Sequence, residues 1–460
     1  MSASLHPRLH PRPHPRRTHR LALALTGTLA AGALVTGTAA GPPTASAAPP
    51  STTTAAAATA AAPATSVARA GTLKRVKTRF ALQTAGYGSR VVGSMVPAAS
   101  DRTALESIGC TTVAGKAKRN YEADTAVPGL GDLYGVETNV WTEAVGQRVS
   151  SWSTHEIAKL VLFDRLEIHG LTSMAHAYWD GSRYRTETST SIAKILVRNG
   201  GQVSELDIPS PNRDLEIPGL VKISLGKTVE KAGSGTARAA ASALDVTVYP
   251  TETHAVLAQS LARVTGGVKS GVFRGYSTGA RAQALADNVQ VGRTQLSKMP
   301  CQGTRGKTMS SDVARADLRD LGGVRAVATS QMGDNRVAYA EGFERAKAAK
   351  VSLLDGRIEV DLVRAVANVR SEKSGARRVT SDSVGTKVVG LTIDGQSYDV
   401  EAGETYEIPG LVKIETGVER QLRQGLEVVG LRLTLLGGDA AIVDLAVAKL
   451  AIRKGVKTTP

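Results

Sequence analysis

Gly275-Tyr276-Ser277-Thr278-Gly279 spells G-x-S-x-G, the spacing that places a serine nucleophile on a sharp strand-to-helix turn in α/β-hydrolases. In that fold the histidine base follows the serine along the chain. Here no histidine follows residue 254, so that order is impossible. An earlier histidine would have to supply the base, as unrelated hydrolase folds arrange it. Four of the eight histidines lie within the first twenty residues, leaving His155, His169, His176 and His254. Glu167 and His169 share a strand face and His176 is near in sequence, which outlines a metal site. The aromatic residues make a third candidate. Trp141, Trp152 and Trp179 all lie between residues 73 and 266, Tyr178 precedes Trp179, and Tyr184 follows shortly after Asp180-Gly181. Such a cluster on a β-domain rim stacks on sugar rings or anchors a partner; the alternative is core-filling or scattered surface aromatics.

The chain repeats itself, and the repeat bears on each candidate. EIPGLVKI stands at 216–223 and again at 407–414, and Cys110 and Cys301 are separated by the same 191 positions. Arg102-Thr103 answers Arg293-Thr294, Gly86-Tyr87 answers Gly275-Tyr276, and LDVTV (244–248) answers LRLTL (431–435). LVLFDRLEI (160–168) answers VSLLDGRIEV (351–360) with one residue inserted. These matches predict two tandem copies, 73–266 and 267–454, each large enough to be a domain. Gly86-Tyr87-Gly88-Ser89 does not keep G-x-S-x-G, and His169 and His176 fall opposite Asp361 and Asn368. A conserved catalytic or metal constellation is therefore not expected. The histidines read as partly exposed strand residues, and no cofactor or metal is expected. Asp164 and Asp355, and Glu167 and Glu359, match between copies. A glycosidase needs two carboxylates at a defined separation, and these read instead as turn and strand-surface positions. No P-loop, dinucleotide fingerprint or EF-hand loop is present, and no helix-turn-helix, zinc-finger or RNP-like pattern.

The elements that position these residues read as β-structure. Leu431, Leu433 and Leu435 alternate with Arg432 and Thr434, one face inward and one outward. Asn199-Gly200 and Asp394-Gly395 suit type I′ hairpin turns. Pro218-Gly219 and Pro409-Gly410 suit type II turns, which splay strands, so a corner is expected at each. VERQLRQG (418–425) is a candidate helix. The fold class expected is all-β, two tandem homologous sandwich-like or barrel-like domains.

Residues 1–47 read as a signal peptide: an Arg-rich start, an apolar stretch over 21–40, and small residues at Ala45-Ser46-Ala47 for cleavage. Residues 48–72 are Ala/Thr/Pro-rich and predict a disordered linker, and 455–460 a short tail. No membrane span is expected after cleavage. In an exported chain two cysteines suggest one disulfide, and a Cys110–Cys301 bridge would join the copies at equivalent points; two separate thiols are the alternative. The formal charge of +16 comes from 57 basic and 41 acidic residues. Five of the arginines precede residue 21, and the rest mix with acids in no long single-sign block. Attraction to anionic polymers is expected, and no specific nucleic-acid binding.

LLDGRIEVDLVRAVANV, VVGLTIDGQSYDV, YEIPGLVKIETG and LRLTLLGGDAAIVDLAVAKLAI, in that order, resemble the choice-of-anchor P family of secreted actinobacterial surface proteins. The first copy carries the same succession more loosely. The resemblance implies a β-rich core, export and a surface role, and it brings no catalytic residues. The ending AIRKGVKTTP has no LPxTG-like motif, so a released protein, or one held loosely at the wall by charge, is expected. The function read from the sequence is a non-enzymatic extracellular protein, structural or adhesive, with cell-wall polymers or other surface proteins as partners. A glycan-binding protein using the first copy's aromatics is the alternative, and a secreted hydrolase the weakest reading.

Overall fold

The computed structural model describes residues 73–455 except 93–101, 128–130, 200, 209–213, 218, 220, 250–252, 285–292, 319–321, 373–377 and 437–440. Residues 1–47 and 48–72, for which a signal peptide and a linker are expected, and residues 456–460 lie outside the described residues.

Among the described residues the elements are β-strands. The first half contains β1 (Val76–Val92), β2 (Glu106–Ala114), β3 (Lys116–Val127), β4 (Gly131–Val145), β5 (Arg148–Leu162) and β6 (Leu166–Trp179). It continues with β7 (Tyr184–Ser191), β8 (Lys194–Asn199), β9 (Gln202–Leu206), β10 (Asp214–Ile217), β11 (Val221–Gly233), β12 (Thr236–Val248) and β13 (Thr253–Thr265). In the second half are β14 (Gly271–Ala284), β15 (Arg293–Thr294), β16 (Ser297–Lys298), β17 (Met309–Val313), β18 (Ala316–Asp317) and β19 (Gly322–Asn335). Then come β20 (Tyr339–Leu353), β21 (Ile358–Glu372), β22 (Val379–Asp382), β23 (Lys387–Ile393) and β24 (Gln396–Tyr398). The last four are β25 (Thr405–Ile408), β26 (Val412–Leu422), β27 (Gly425–Leu435) and β28 (Ala441–Lys454).

Four antiparallel sheets result. The first half pairs β10-β11-β12-β13-β1-β2 in one sheet and β3-β4-β5-β6-β8-β9 in the other, with β7 on β6. The second half pairs β25-β26-β27-β28-β14-β15 and β17-β19-β20-β21-β23-β24, with β22 on β21. The two orders correspond along their main paths, with β16 on β14 and β18 on β19 added in the second half, so the halves share one sandwich topology. Each half has its own core. Leu133, Ile157, Leu171, Ile223 and Leu257 pack in the first, and Phe273, Val327, Val363, Leu431 and Leu450 in the second. Alternation along each strand supplies these inward faces.

With so few large aromatics, parts of the interior are built from close approach instead of bulk. Thr84 donates to the Trp152 carbonyl (2.6 Å) and Ser153 to that of Ala85 (2.9 Å), tying the two sheets of the first half together. A Cβ on Gly86 would lie 2.7 Å from Thr138, and one on Gly279 would lie 1.9 Å from Val327, so glycine is required at both contacts.

Three local expectations are corrected. Residues 418–425 are not helical: β26 runs to Leu422 and turns into β27, with Val418 opposite Val429, because cross-strand pairing overrides the short 3.6-residue pattern. Pro409-Gly410 closes a hairpin and not a corner, and β10 and β11 pair in the same way around Gly219, Pro218 itself lying outside the described residues. Gly219 and Gly410 have φ of +71° and +72°, and Ile217 faces Val221 as Ile408 faces Val412. The type II turn bond, Leu411 N to Ile408 O at 3.0 Å, leaves Leu411 as one extra residue that lets the splayed strands re-pair. Asp394-Gly395 forms the expected two-residue tip, both with positive φ. In the first half, however, Asn199 still belongs to β8 and pairs with Gln202, so it is not itself in the tip, and Gly200 lies outside the described residues.

Candidate functional site

Register across the first half's outer sheet places Trp141 (β4), Trp152 (β5), His176 (β6) and Glu187 (β7) in one row. Alternation buries Val140, Ser153, Ala175 and Ala177 on the other side of the same strands, so this row faces outward. The rings stand parallel. Trp141 and Trp152 have centroids 5.3 Å apart, Trp152 and His176 3.3 Å, and His176 and Tyr178 4.4 Å. The Arg148 guanidinium caps the far end, 4.3 Å from the Tyr178 ring. The result is a ladder of four rings. Its inner ring faces are spent on one another, while one face of Trp141 is left toward Ala117, its neighbour on the edge strand β3.

Hydrogen bonds fix the rim. Trp152 Nε1 donates to Glu143 (2.9 Å), and Tyr178 Oη donates to Glu187 Oε1 (2.7 Å). His176 Nδ1 lies 3.0 Å from Glu187 Oε2, and its Nε2 lies 3.3 Å from an Arg148 nitrogen. A carboxylate only accepts and a guanidinium only donates, so His176 carries its proton on Nδ1 and accepts at Nε2. Burial brings its pKa down to about 4; the Arg148 charge works the same way and Glu187 opposes it. Burial works against the Glu187 carboxylate, yet hydrogen bonds from His176 and Tyr178 hold its pKa below the usual value.

The ladder unites Trp141, Trp152 and Tyr178 but not the other two aromatics. Trp179 is one residue past Tyr178 and so points through the sheet. It packs 5.8 Å from Phe80 and 5.0 Å from Tyr184, beside an inner cluster with Val149 and Ala177. Trp179 and Tyr184 are therefore packing residues. Glu143, Arg148 and Glu187 were not selected from sequence, and His176 was singled out only as a metal ligand, not as a stacking ring. The His176/Tyr178 spacing of two hinted at a shared face, but only long-range register reveals the row.

The corresponding row of the second half is Met332, Phe343, Asn368 and Asp382. Asn368 donates to Asp382 at 2.7 Å, as His176 does to Glu187. The cationic cap is present with its partners exchanged: Arg370 lies 4.8 Å from the Tyr339 ring. The scaffold is common to both halves, and the stacked indoles belong to the first.

The remaining sequence candidates are sealed or dispersed. Ser277 is fully buried in the middle of β14, not on an elbow, and donates to Glu344 Oε2 at 2.8 Å. Glu344 is itself fully buried with Oε1 unpartnered, and burial raises its pKa well above the ordinary value, against the Ser277 hydrogen bond. A carboxyl with a raised folded pKa favours folding below its unfolded pKa and loses that advantage as pH rises. Glu344→Gln should therefore raise the unfolding temperature at pH 8, with the gain vanishing near pH 4. Calorimetry at the two pH values checks this, and equal melting at pH 8 would oppose it.

His169 contacts Glu167 at 3.2 Å, and Glu167 is also held by Arg198, whereas His176 lies seven residues along and binds Glu187. Among the described residues no group of three His, Cys, Asp or Glu is placed to hold a metal. The expected partial exposure fails for His155 and His176, which are 2% and 0% exposed. His155 sits between the sheets, 2.6 Å from Thr138 Oγ1, and burial lowers its pKa to about 3. Asp164 and Asp355 are turn residues with φ of +53° and +55°.

Cys110 and Cys301 form a disulfide, with Cα atoms 5.4 Å apart, packed among Ala81, Val268 and Val272. It joins β2 of the first half to the segment after β16 of the second. No protein-family model matches the chain, and no curated relative matches it at significant similarity.

Proposed function

We propose that this is an exported, non-enzymatic surface protein that adheres to glycan through the outer sheet of its first half. The observation that carries this reading is the ladder of Trp141, Trp152, His176 and Tyr178 on an outward face, hydrogen-bonded along its rim and replaced by Met332, Phe343, Asn368 and Arg370 in an otherwise matching row. Stacking residues on a rigid strand platform have little side-chain freedom left to lose on binding, which suits recognition of a flat sugar face. Glu143, Arg148 and Glu187 offer hydrogen bonds to hydroxyls beside it. The buried state of Ser277 and the separation of His169 from His176 support a non-catalytic role. The resemblance to choice-of-anchor P proteins supports export and a surface location, and the tandem matches in sequence together with the common topology support an origin by duplication. Cell-wall polysaccharide is the partner this reading favours.

Co-sedimentation of the folded protein with purified wall polysaccharide tests the reading. Trp141→Ala should weaken binding by about tenfold or more, the scale of an aromatic hot spot, while Met332→Ala should leave it unchanged. Equal binding by wild type and Trp141→Ala would overturn it.

A further inference from the structure

The repeated Arg-Thr and Gly-Tyr pairs take on a shared geometry that the aromatic ladder does not use. In the first half the Thr103 carbonyl accepts from Gly88 N (2.8 Å), and its hydroxyl lies 3.1 Å from Ser89 Oγ. Residues 102–103 are thereby fastened alongside β1, and Arg102 lies over the Tyr87 ring at 4.9 Å. In the second half Thr294 accepts from Ala280 N (2.7 Å), its carbonyl accepts from Thr278, and Arg293 lies over Tyr276 at 4.6 Å. Lys298 stands directly opposite Tyr276 in the β14–β16 pair, and Cys301 follows it by three residues. The disulfide therefore clamps the two Arg-over-Tyr units to the same junction.

Four cations meet there. Arg102 is close enough to Arg90 and Arg293 for their charges to act on it, and Lys298 feels all three arginines. Lys298 is brought down to about 8 by burial of its ammonium and by those like charges, although the residue as a whole remains exposed. Among the described residues none of the four makes an ion pair with a carboxylate. Two buried acids of the second half's sheet are taken by other cations: Asp444 by Arg281 and Arg432, and Glu427 by Arg281, Arg420 and Lys449. Asp245, on the first half's sheet, is paired through Oδ2 with Lys227, while its Oδ1 is buried without a hydrogen-bond partner. Arg102 Nε is buried without a hydrogen-bond partner. Gathering like charges and orphaning a guanidinium N–H both oppose folding, and a bound anion relieves both at once.

We infer that Arg90, Arg102, Arg293 and Lys298 form an anion site at the junction of the two halves, built to take a phosphate group. Guanidinium forks match tetrahedral phosphate oxygens, and the tyrosine rings beneath hold each fork in place. The phosphate is either free or carried within a phosphodiester-linked polymer, and the site is independent of the glycan reading.

Calorimetric titration at low salt, with inorganic phosphate in one arm and poly(glycerol phosphate) in the other, tests this. Arg102→Gln and Arg293→Gln should each weaken binding by about tenfold, the loss of one charge-assisted contact, and the double variant should leave none. Lys231→Gln removes an exposed cation on β11 and should change nothing. Binding in both arms, or in the polymer arm alone, identifies polymer phosphate as the ligand; binding of inorganic phosphate alone identifies the free ion. The inference is overturned if neither probe binds, or if Lys231→Gln weakens binding as much as the arginine variants do. Circular dichroism of each variant ensures that folded protein is compared, and Arg293→Gln carries the test should Arg102→Gln fold poorly.

Discussion

Reduction of the Cys110–Cys301 bridge should lower the unfolding temperature of the first half by about 10–20 °C, with a smaller effect on the second. The bridge closes a separation of 191 residues, and on the chain-entropy account a loop of that length is worth roughly 5 kcal/mol. For a unit of about 190 residues each kcal/mol shifts the transition by about 2–4 °C. The effect is unequal because the chain from Cys110 through the end of β13 at Thr265 lies inside the loop, while most of the second half, from Cys301 to Lys454, lies outside it. Trp141, Trp152 and Trp179 are the only tryptophans, so indole emission follows the first half alone. Melting followed by tryptophan fluorescence, with and without reductant and in Cys110→Ser, checks the prediction. A fluorescence transition that stays where it was on reduction would contradict it.

Acid should act on the same half. His155 and His176 are held neutral in the fold, at about 3 and about 4, against an ordinary value of 6.5. Above pH 6.5 neither folded nor unfolded chain is charged at these positions, and the full stability is present. As pH falls below 6.5 the unfolded chain takes up protons that the folded chain refuses, and stability drops by about 1.4 kcal/mol per histidine per pH unit. Between pH 6.5 and 4.5 the two histidines together remove on the order of 5 kcal/mol. The buried carboxylates of the second half have the other timing. Glu427, brought to about 2 by hydrogen bonds from Arg420 and Lys449 against burial, costs stability only below the ordinary carboxylate range, and Glu344 gains in acid. The tryptophan transition should therefore move to lower temperature between pH 6.5 and 4.5 while the remaining β-sheet signal of circular dichroism holds. His155→Gln should flatten much of that pH dependence. A common pH dependence for both halves would refute the assignment.

What could be read in the sequence follows the range of the interactions concerned. Strand alternation at Leu431, Leu433 and Leu435 and the Asp394-Gly395 tip are local, and both appear as expected. The helix expected at 418–425 failed because pairing with β27 decides those residues, and pairing is not local. The candidate site divides the same way. The sequence singled out tryptophans of the first half, but the separation of Tyr178 from Trp179 depends on which side of one strand faces water. The stacking of Trp152 on His176 depends on the register of β5 against β6, twenty-four positions apart in the chain. The Arg-Thr and Gly-Tyr repeats were visible as matches, and their convergence was not, because it needs two halves brought together by one covalent bond.

That bond also decides how the molecule carries load. A pull applied at the two ends of the described chain enters at β1, reaches Cys110, and crosses directly to Cys301 without passing through the strands between. The bridged stretch of 191 residues holds about 650 Å of extended length out of the line of force. An oxidised molecule pulled at those ends is thus short and stiff at its junction, and a reduced one can pay out that length. Oxidation state sets its reach.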